Sequence, residues 1–438
     1  MAVGKISYNG GSGVKGASEF EYTIHAESEP IKAGNFVEKV GVEEIQTQLV
    51  PDIVLNTDVS QKISMVEVHN NRILIATCEQ DLCTFRLYDT TGNVVPVLLK
   101  EYVYAENVTS IDMVKLKDDL IAVACDIGST SVNAFALSTT NDIITKGEST
   151  AVIGQSGVTV KIAKFNSSRF VVYGRRSNRN LHVISYLVDQ DLKLSSASQS
   201  ELYYEVLDDS MSFKNVVSNK VICANNTIDP SVGVDISIFT YTDSSRKILK
   251  AGNMMISSDG AYPNDIVVLS STKALVVYKS NANTLNAGII TMNASATSGT
   301  LQLTKNYILS TNSGDVTALK IAEYETGKYM LVYNGKAELL NVTDDSVSLG
   351  ANKAVSVVGN DINVAVPMPN RVCVLYKNSN NYPTLTQLST NDNVISNEIN
   401  YITYTYQMKK AISKIDGVAK NSGVAGDRIT VYTLGGNE

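Results

Sequence analysis

The sequence predicts an all-β fold: a seven-bladed β-propeller inserted in a small β-barrel made from the N- and C-terminal segments. Three observations carry this expectation. One short apolar phrase recurs seven times, each copy sits in a unit long enough for four strands, and the chain ends fall outside the repeat.

The phrase is a few small polar residues, usually one basic residue, and then an apolar burst. Its copies lie at 71–75, 118–123, 168–173, 219–222, 272–278, 327–333 and 370–376. The anchors fall at 72, 119, 169, 220, 273, 328 and 371, in steps of 47, 50, 51, 53, 55 and 43. Self-similarity at a period near 50, with several strands per period, is the mark of propeller blades.

The first unit shows how four strands arise. Residues 63–69 alternate apolar and polar, as a half-buried strand does, and Asn70-Asn71 supplies a turn. Residues 72–78 form the apolar burst, with both faces covered. Residues 82–88 alternate again, 89–93 turn, and 94–104 give the fourth strand. The first strand of each unit is then expected to face a channel and the second to pack between neighbouring blades. Third strands are expected at 132–137, 181–188, 234–241, 287–292, 336–342 and 384–388. The ring closes where the first and last units meet, and either residues 50–55 or a strand from the last unit is expected to supply the closure.

The ends read differently. Residues 1–48 and 407–438 contain alternating strands separated by Gly turns. They are expected to meet in one β domain around the propeller at 49–406.

Composition narrows the function. The chain has 438 residues, a net charge of -7 and only 18% charged residues. Phosphate binding needs clustered Lys and Arg, and only the doublets Arg175-Arg176 and Lys409-Lys410 occur, so nucleic acid is not an expected partner. No apolar run is long enough to span a membrane, and the opening residues show no apolar leader. Cys78, Cys125, Cys223 and Cys373 sit in or beside four apolar bursts, and Cys83 lies in the next strand of the first unit. A Cys78–Cys83 link is conceivable, but no framework of paired spacings exists, so buried free thiols are expected.

Catalytic signals are sparse. His25, His69 and His182 lie on different elements without metal-ligand spacing, and are expected to be partly exposed strand residues. No metal and no cofactor is expected. Glu67, Asp112, Asp208, Asp209, Asp265, Asp315 and Asp361 lie near blade starts. A pair of them across the channel mouth would suit a glycosidase acting on surface polysaccharide; the plainer reading is carboxylates that satisfy backbone donors. The chain has 22 Tyr and no Trp. Tyr262 and Asn264, and Asn381 and Tyr382, mark two loops as candidate contact surfaces, since Tyr joins a flat apolar face to a polar tip.

The end segments carry a resemblance. Ile415-Asp416-Gly417-Val418-Ala419, followed by Gly423-x-Ala425-Gly426-Asp427-x-Ile429-x-Val431, resembles a small β-barrel module of tailed-bacteriophage structural proteins. Ile31-Lys32-Ala33-Gly34-Asn35-Phe36-Val37 resembles the same module's other Ala-Gly-Asp strand, with Asn35 in the Asp position. The resemblance implies a docking module that includes Ala33, Gly34, Phe36, Gly417, Gly423, Gly426 and Asp427. It implies a non-enzymatic virion protein, made in the cytoplasm of a bacterial host, with tail, baseplate or capsid proteins as partners. The expected role is tail fibre or receptor binding, with the propeller loops meeting a host-surface glycan or protein. A capsid, head-fibre or collar decoration role is the alternative, and homo-oligomer formation is a further expectation.

Overall fold

In the computed structural model of the chain, the residues described are 18–24, 28–60, 62–69, 71–80, 82–91, 95–128, 131–153, 159–175, 181–202, 206–227, 233–242, 247–257, 263–280, 284–294, 299–311, 316–343, 346–355, 361–390, 394–410, 417–419, 422 and 424–433. They separate into two compact units, Gln48–Ile399 and the paired ends Met1–Thr47 with Asn400–Glu438.

The larger unit is a propeller of seven antiparallel sheets. Blade 1 runs Lys62–Glu67, Arg72–Cys78, Cys83–Asp89 and Val97–Tyr104. Blade 2 runs Val108–Lys117, Leu120–Ile127 and Ser131–Ser138. Its outer position is shared by two short strands, Thr145–Lys146 and Thr150–Ile153. Gly147, between them, passes so close to the Leu192 carbonyl oxygen of blade 3 that a Cβ there would clash with it. Blades 3 to 6 begin with Thr159–Lys164, Val206–Val217, Asn264–Ser270 and Leu319–Glu325, and each adds three more strands in chain order. Blade 7 takes Ile362–Met368, Arg371–Lys377 and Pro383–Ser389, and its fourth strand is Ile53–Val54, from ahead of blade 1. Of the two expected closures, the stretch at 50–55 therefore supplies it.

The second strands are continuous apolar runs because both of their faces are covered. Those of blades 1 and 2 bury nearly every residue. Seven apolar clusters result, one in each wedge between neighbouring blades, and blades 7 and 1 share the last. Each Val, Leu, Ile or Phe buried in a wedge contributes about 1.5–3 kcal/mol.

The polar start of the repeated phrase has two jobs. Asn71, Asp119, Asn219 and Asn370 hold the turn at φ between 61° and 64°, and Gly327 does so at 75°. Asn and Asp tolerate this left-handed region better than other side chains. Their carbonyls then accept the N–H at or just after the end of the third strand, as from Thr90 to Asn71 at 2.9 Å and Thr139 to Asp119 at 3.0 Å. Where the basic residue that follows is an arginine, in blades 1, 3 and 7, it reaches the next blade. Arg72 Nε donates to Asp142 of blade 2 at 3.0 Å, the Arg169 guanidinium lies 4.1 Å over the Tyr241 ring of blade 4, and Arg371 donates to the Thr90 carbonyl of blade 1.

Blade 2 corrects the expected anchor. Asp119 occupies the turn, and Leu120 is the first residue of the second strand, where other blades have Arg or Lys.

The smaller unit is a five-stranded sheet in the order Ser18–Thr23, Arg428–Thr433, Gly417–Ala419, Phe36–Leu49, Glu398–Lys410. Its core is Ile24, Ile31, Val37, Ala419, Ile429 and Val431. The described pairing is that of an open sheet, and barrel closure stays an expectation.

Candidate functional site

The first strands of all seven blades line a central channel of about 1140 Å³. At one register position of the first strand every blade carries a polar residue, and all of these but buried Ser64 line the channel. In chain order these are Ser64, Asp112, Lys161, Ser212, Asp265, Lys320 and Asn363, each eight residues ahead of the start of its blade's second strand. The sequence Ser-Asp-Lys thus occurs twice around the ring, and Asn363 completes it. The positions on either side are largely apolar, such as Ile63 and Met65, Ile111 and Met113, or Leu319 and Ile321.

The ring ties blades together. Asp112 Oδ2 accepts the Ile162 N–H of blade 3 at 3.1 Å. Asp265 Oδ2 accepts the Ile321 N–H of blade 6 at 2.9 Å, and its other oxygen accepts the Ser212 hydroxyl of blade 4. Asn363 Nδ2 donates to the Ile63 carbonyl of blade 1 at 3.3 Å. Lys320 Nζ stands 3.7 Å from Asp265. Burial alone would raise the Asp265 carboxyl, which is 1% exposed; Lys320, Lys214, the Ser212 hydroxyl and the Ile321 amide together outweigh it and hold the group below its ordinary value.

The other channel carboxylates are also engaged. Asp361 lies 2.7 Å from Lys377 and 3.5 Å from Lys62, and Glu323 accepts the Gly327 N–H at 3.3 Å. Glu67 pairs with Lys115 at 3.8 Å. The acids named from sequence are therefore inter-strand and inter-blade ties where they are described. Asp315 lies outside the described residues, as do the side chains of Asp208 and Asp209.

The histidines do not converge. His69 meets Asp119, His25 lies outside the described residues, and His182 is buried in the third strand of blade 3 rather than partly exposed. Among the described residues no cluster of His, Cys, Asp or Glu could hold a metal ion. No helix among them is long and apolar enough to cross a membrane.

The two contact loops fare differently. Tyr262 lies outside the described residues. Asn264 is a correction: it is the first residue of the channel strand of blade 5, only 5% exposed, and its Nδ2 donates to Asn226 at 3.3 Å. The strand begins one residue after Pro263, so the loop ends sooner than the sequence implied. Asn381 is exposed at φ 60° in the hairpin turn of blade 7. Its N–H reaches Asn378 O at 2.8 Å and its carbonyl accepts the Ser60 N–H at 3.1 Å, while the Tyr382 N–H donates to Asn378 Oδ1 at 3.2 Å. Asn381 and half-buried Tyr382 thus sit on a braced turn.

In the end sheet the docking residues form two turns of one design. Asn35 N–H donates to Lys32 O at 2.9 Å, and Lys32 N–H donates back to Asn35 Oδ1 at 2.9 Å, with Gly34 at φ 85°. Asp427 N–H donates to Val424 O at 2.9 Å, and Val424 N–H donates back to Asp427 Oδ2 at 2.9 Å, with Gly426 at φ 87°. Each turn then clips one neighbour. Gly34 N–H and Asn35 O bracket Ala419 at 2.7 and 2.9 Å; Gly426 N–H and Asp427 O bracket Ile24 at 3.0 and 2.9 Å. Ala33, Gly34, Gly426 and Asp427 are exposed, and Phe36 is 43% exposed. Gly417 pairs with Val37 and Thr433, and Gly423 lies outside the described residues.

No protein-family model matches the chain, and no curated protein matches it. Solved structures do. A candidate 6-phosphogluconolactonase from Bacteroides fragilis is similar at a TM-score of 0.52 and 10% identity, over 80% of this chain and 98% of that one. Sqt1 from Saccharomyces cerevisiae gives 0.49 at 10% identity, over 78% and 100%. A mutant of AofleA from Arthrobotrys oligospora gives 0.46 at 9% identity, over 85% and 94%. At such identities the likeness to the first is one of fold alone.

Proposed function

We propose that the chain is a structural, non-enzymatic component of a tailed-bacteriophage particle. The end sheet docks it on a neighbouring tail or baseplate protein, and the propeller presents a rigid face to a glycan or protein of the host surface. The observation that carries this reading is the pair of matched Ala-Gly-Asx turns, which use the very residues that resemble the virion module. Their exposed backbone and the neighbouring Phe36 offer a small surface at fixed geometry. The propeller's construction supports the binding role: seven packed wedges give a stiff scaffold, and the described channel carboxylates are engaged in ties.

The test is proteomics and antibody-gold microscopy of purified particles from a strain that carries the gene. Label at the tail, together with adsorption of the full-length protein to host cells, supports the proposal. Label on the capsid or collar overturns the tail assignment in favour of decoration. Absence from particles overturns the reading as a whole.

A further inference from the structure

Cys78 and Cys83 face each other across the hairpin of blade 1. They are direct partners in the antiparallel register, and one rung further out the Glu79 N–H donates to Leu82 O at 2.9 Å. The Cys rung is therefore a non-hydrogen-bonded one, where facing Cα atoms come within about 4.5 Å. A disulfide spans Cα separations of roughly 4.4–6.8 Å, so this rung accepts one without moving the backbone. Both side chains are fully buried and their sulfurs lie 2.9 Å apart.

The same hairpin tip holds the chain that leaves the ring-closing strand Ile53–Val54. The Ser60 hydroxyl donates to the Cys78 carbonyl at 3.2 Å, and Asn56 Nδ2 donates to Glu79 Oε1 at 3.1 Å. What fixes the tip also fixes residues 56–60 at the seam between blades 7 and 1.

We propose that Cys78 and Cys83 are an oxidisable pair, whose disulfide locks the hairpin tip and with it the segment that follows the closing strand. This holds whether or not the protein belongs to a virion. The oxidant is a small-molecule disulfide such as glutathione disulfide. One Cys thiolate attacks it, forming a mixed disulfide and releasing one glutathione. The second Cys sulfur then displaces the other glutathione, closing the protein S–S bond. Two thiol protons and two electrons pass to the two glutathione thiols. Burial pushes the Cys78 thiol well above its ordinary range, so its thiolate is scarce until the tip opens, and oxidation is slow and speeds up with pH. Cys125 shares the same apolar cluster and is the competing partner.

The full-length protein, reduced and then exposed to glutathione disulfide, is denatured in an alkylating reagent and digested with trypsin. Residues 73–86 form one tryptic peptide with both cysteines and no other. The expected product is this peptide, lighter by two hydrogens and unalkylated until reduced, with Cys125, Cys223 and Cys373 still alkylated. Amide exchange at residues 56–60 should slow in the oxidised protein. A doubly alkylated peptide, a stable glutathione adduct or a Cys83–Cys125 link overturns the proposal. Unchanged exchange at 56–60 overturns the lock.

Discussion

In the propeller, the turn before the second strand is left-handed in five blades, filled by Asn71, Asp119, Asn219, Asn370 or Gly327, while blades 3 and 5 enter from Ser168 and Thr272 without it; the strands beside the turns keep one apolar filling. In the end sheet the two turns match bond for bond, while the strands beside them differ in length and sequence. The propeller repeats its packing and varies its turns; the end sheet repeats its turns and varies its packing. The difference follows from what each unit must satisfy. A blade is held by two wedges of side chains, so any residue that tolerates the turn will serve. Among the described residues of the end sheet, backbone bonds fixed by Gly34 and Gly426 tie each turn to one neighbour, Ala419 or Ile24.

Three experiments sharpen or break this contrast. The largest effect is expected from Phe85→Ala. Phe85 is fully buried and meets Phe135 of blade 2 edge-on at 6.0 Å, so its loss should cost about 3–5 kcal/mol. Val431→Ala in the end sheet should cost about 1–3 kcal/mol. Hydrogen exchange should show each loss of protection confined to its own unit; a loss shared by both would break the contrast.

Asp265→Asn comes next, at about 1.5–3 kcal/mol near neutral pH, because it weakens charge-assisted bonds to blades 4 and 6. The native carboxyl titrates below its unfolded value of about 3.9. Its contribution is therefore complete above that value and fades as pH falls through the lower folded one. Urea unfolding at pH 7 and pH 3 should show the gap between native protein and variant shrinking in acid. A gap that widened would show that the carboxylate is not held by its cationic neighbours.

The smallest effects belong to the turns. Gly34→Ala and Gly426→Ala should each cost about 1–2 kcal/mol, since both glycines have positive φ and a Cβ at either meets nothing within 4 Å. The two costs should agree to within about 0.5 kcal/mol if the turns are equivalent. Asn35→Asp should be nearly neutral, because a carboxylate oxygen accepts the Lys32 N–H as the amide does. Thermal unfolding of the three variants settles whether the match in geometry is also one in energy.

The second strands were legible because a strand covered on both faces opens with an unbroken apolar run after its basic or polar start, whereas the first and outer strands alternate. Even Ile53–Val54, a two-residue closure, was visible as an apolar stretch ahead of the first unit. The anchor of blade 2 slipped by one because Leu120 lacks the positive charge that marks the other blades. The channel ring was missed as a ring. As residue types Asp112 and Asp265 stand out only as acids; the fixed offset from the second strand is what joins them to Ser64, Lys161, Ser212, Lys320 and Asn363. The matched end turns were half legible. The Ala-Gly phrases were plain, but that Asn35 does the work of Asp427 depends on which lone pair faces which N–H.

The closing strand also sets the order of events during synthesis. Tyr376 Oη donates to Asp52 Oδ2 at 3.0 Å, a contact between residues 324 apart in sequence. A ribosome adding 5–20 residues per second needs roughly 16–65 s to travel that distance. Through that interval blade 1 has emerged without blade 7 beside it, and the edge that will receive Ile53–Val54 does not yet exist. The nascent ring must therefore wait as an open arc, with one apolar wedge facing water, and a chaperone that shields that wedge would have to let go last.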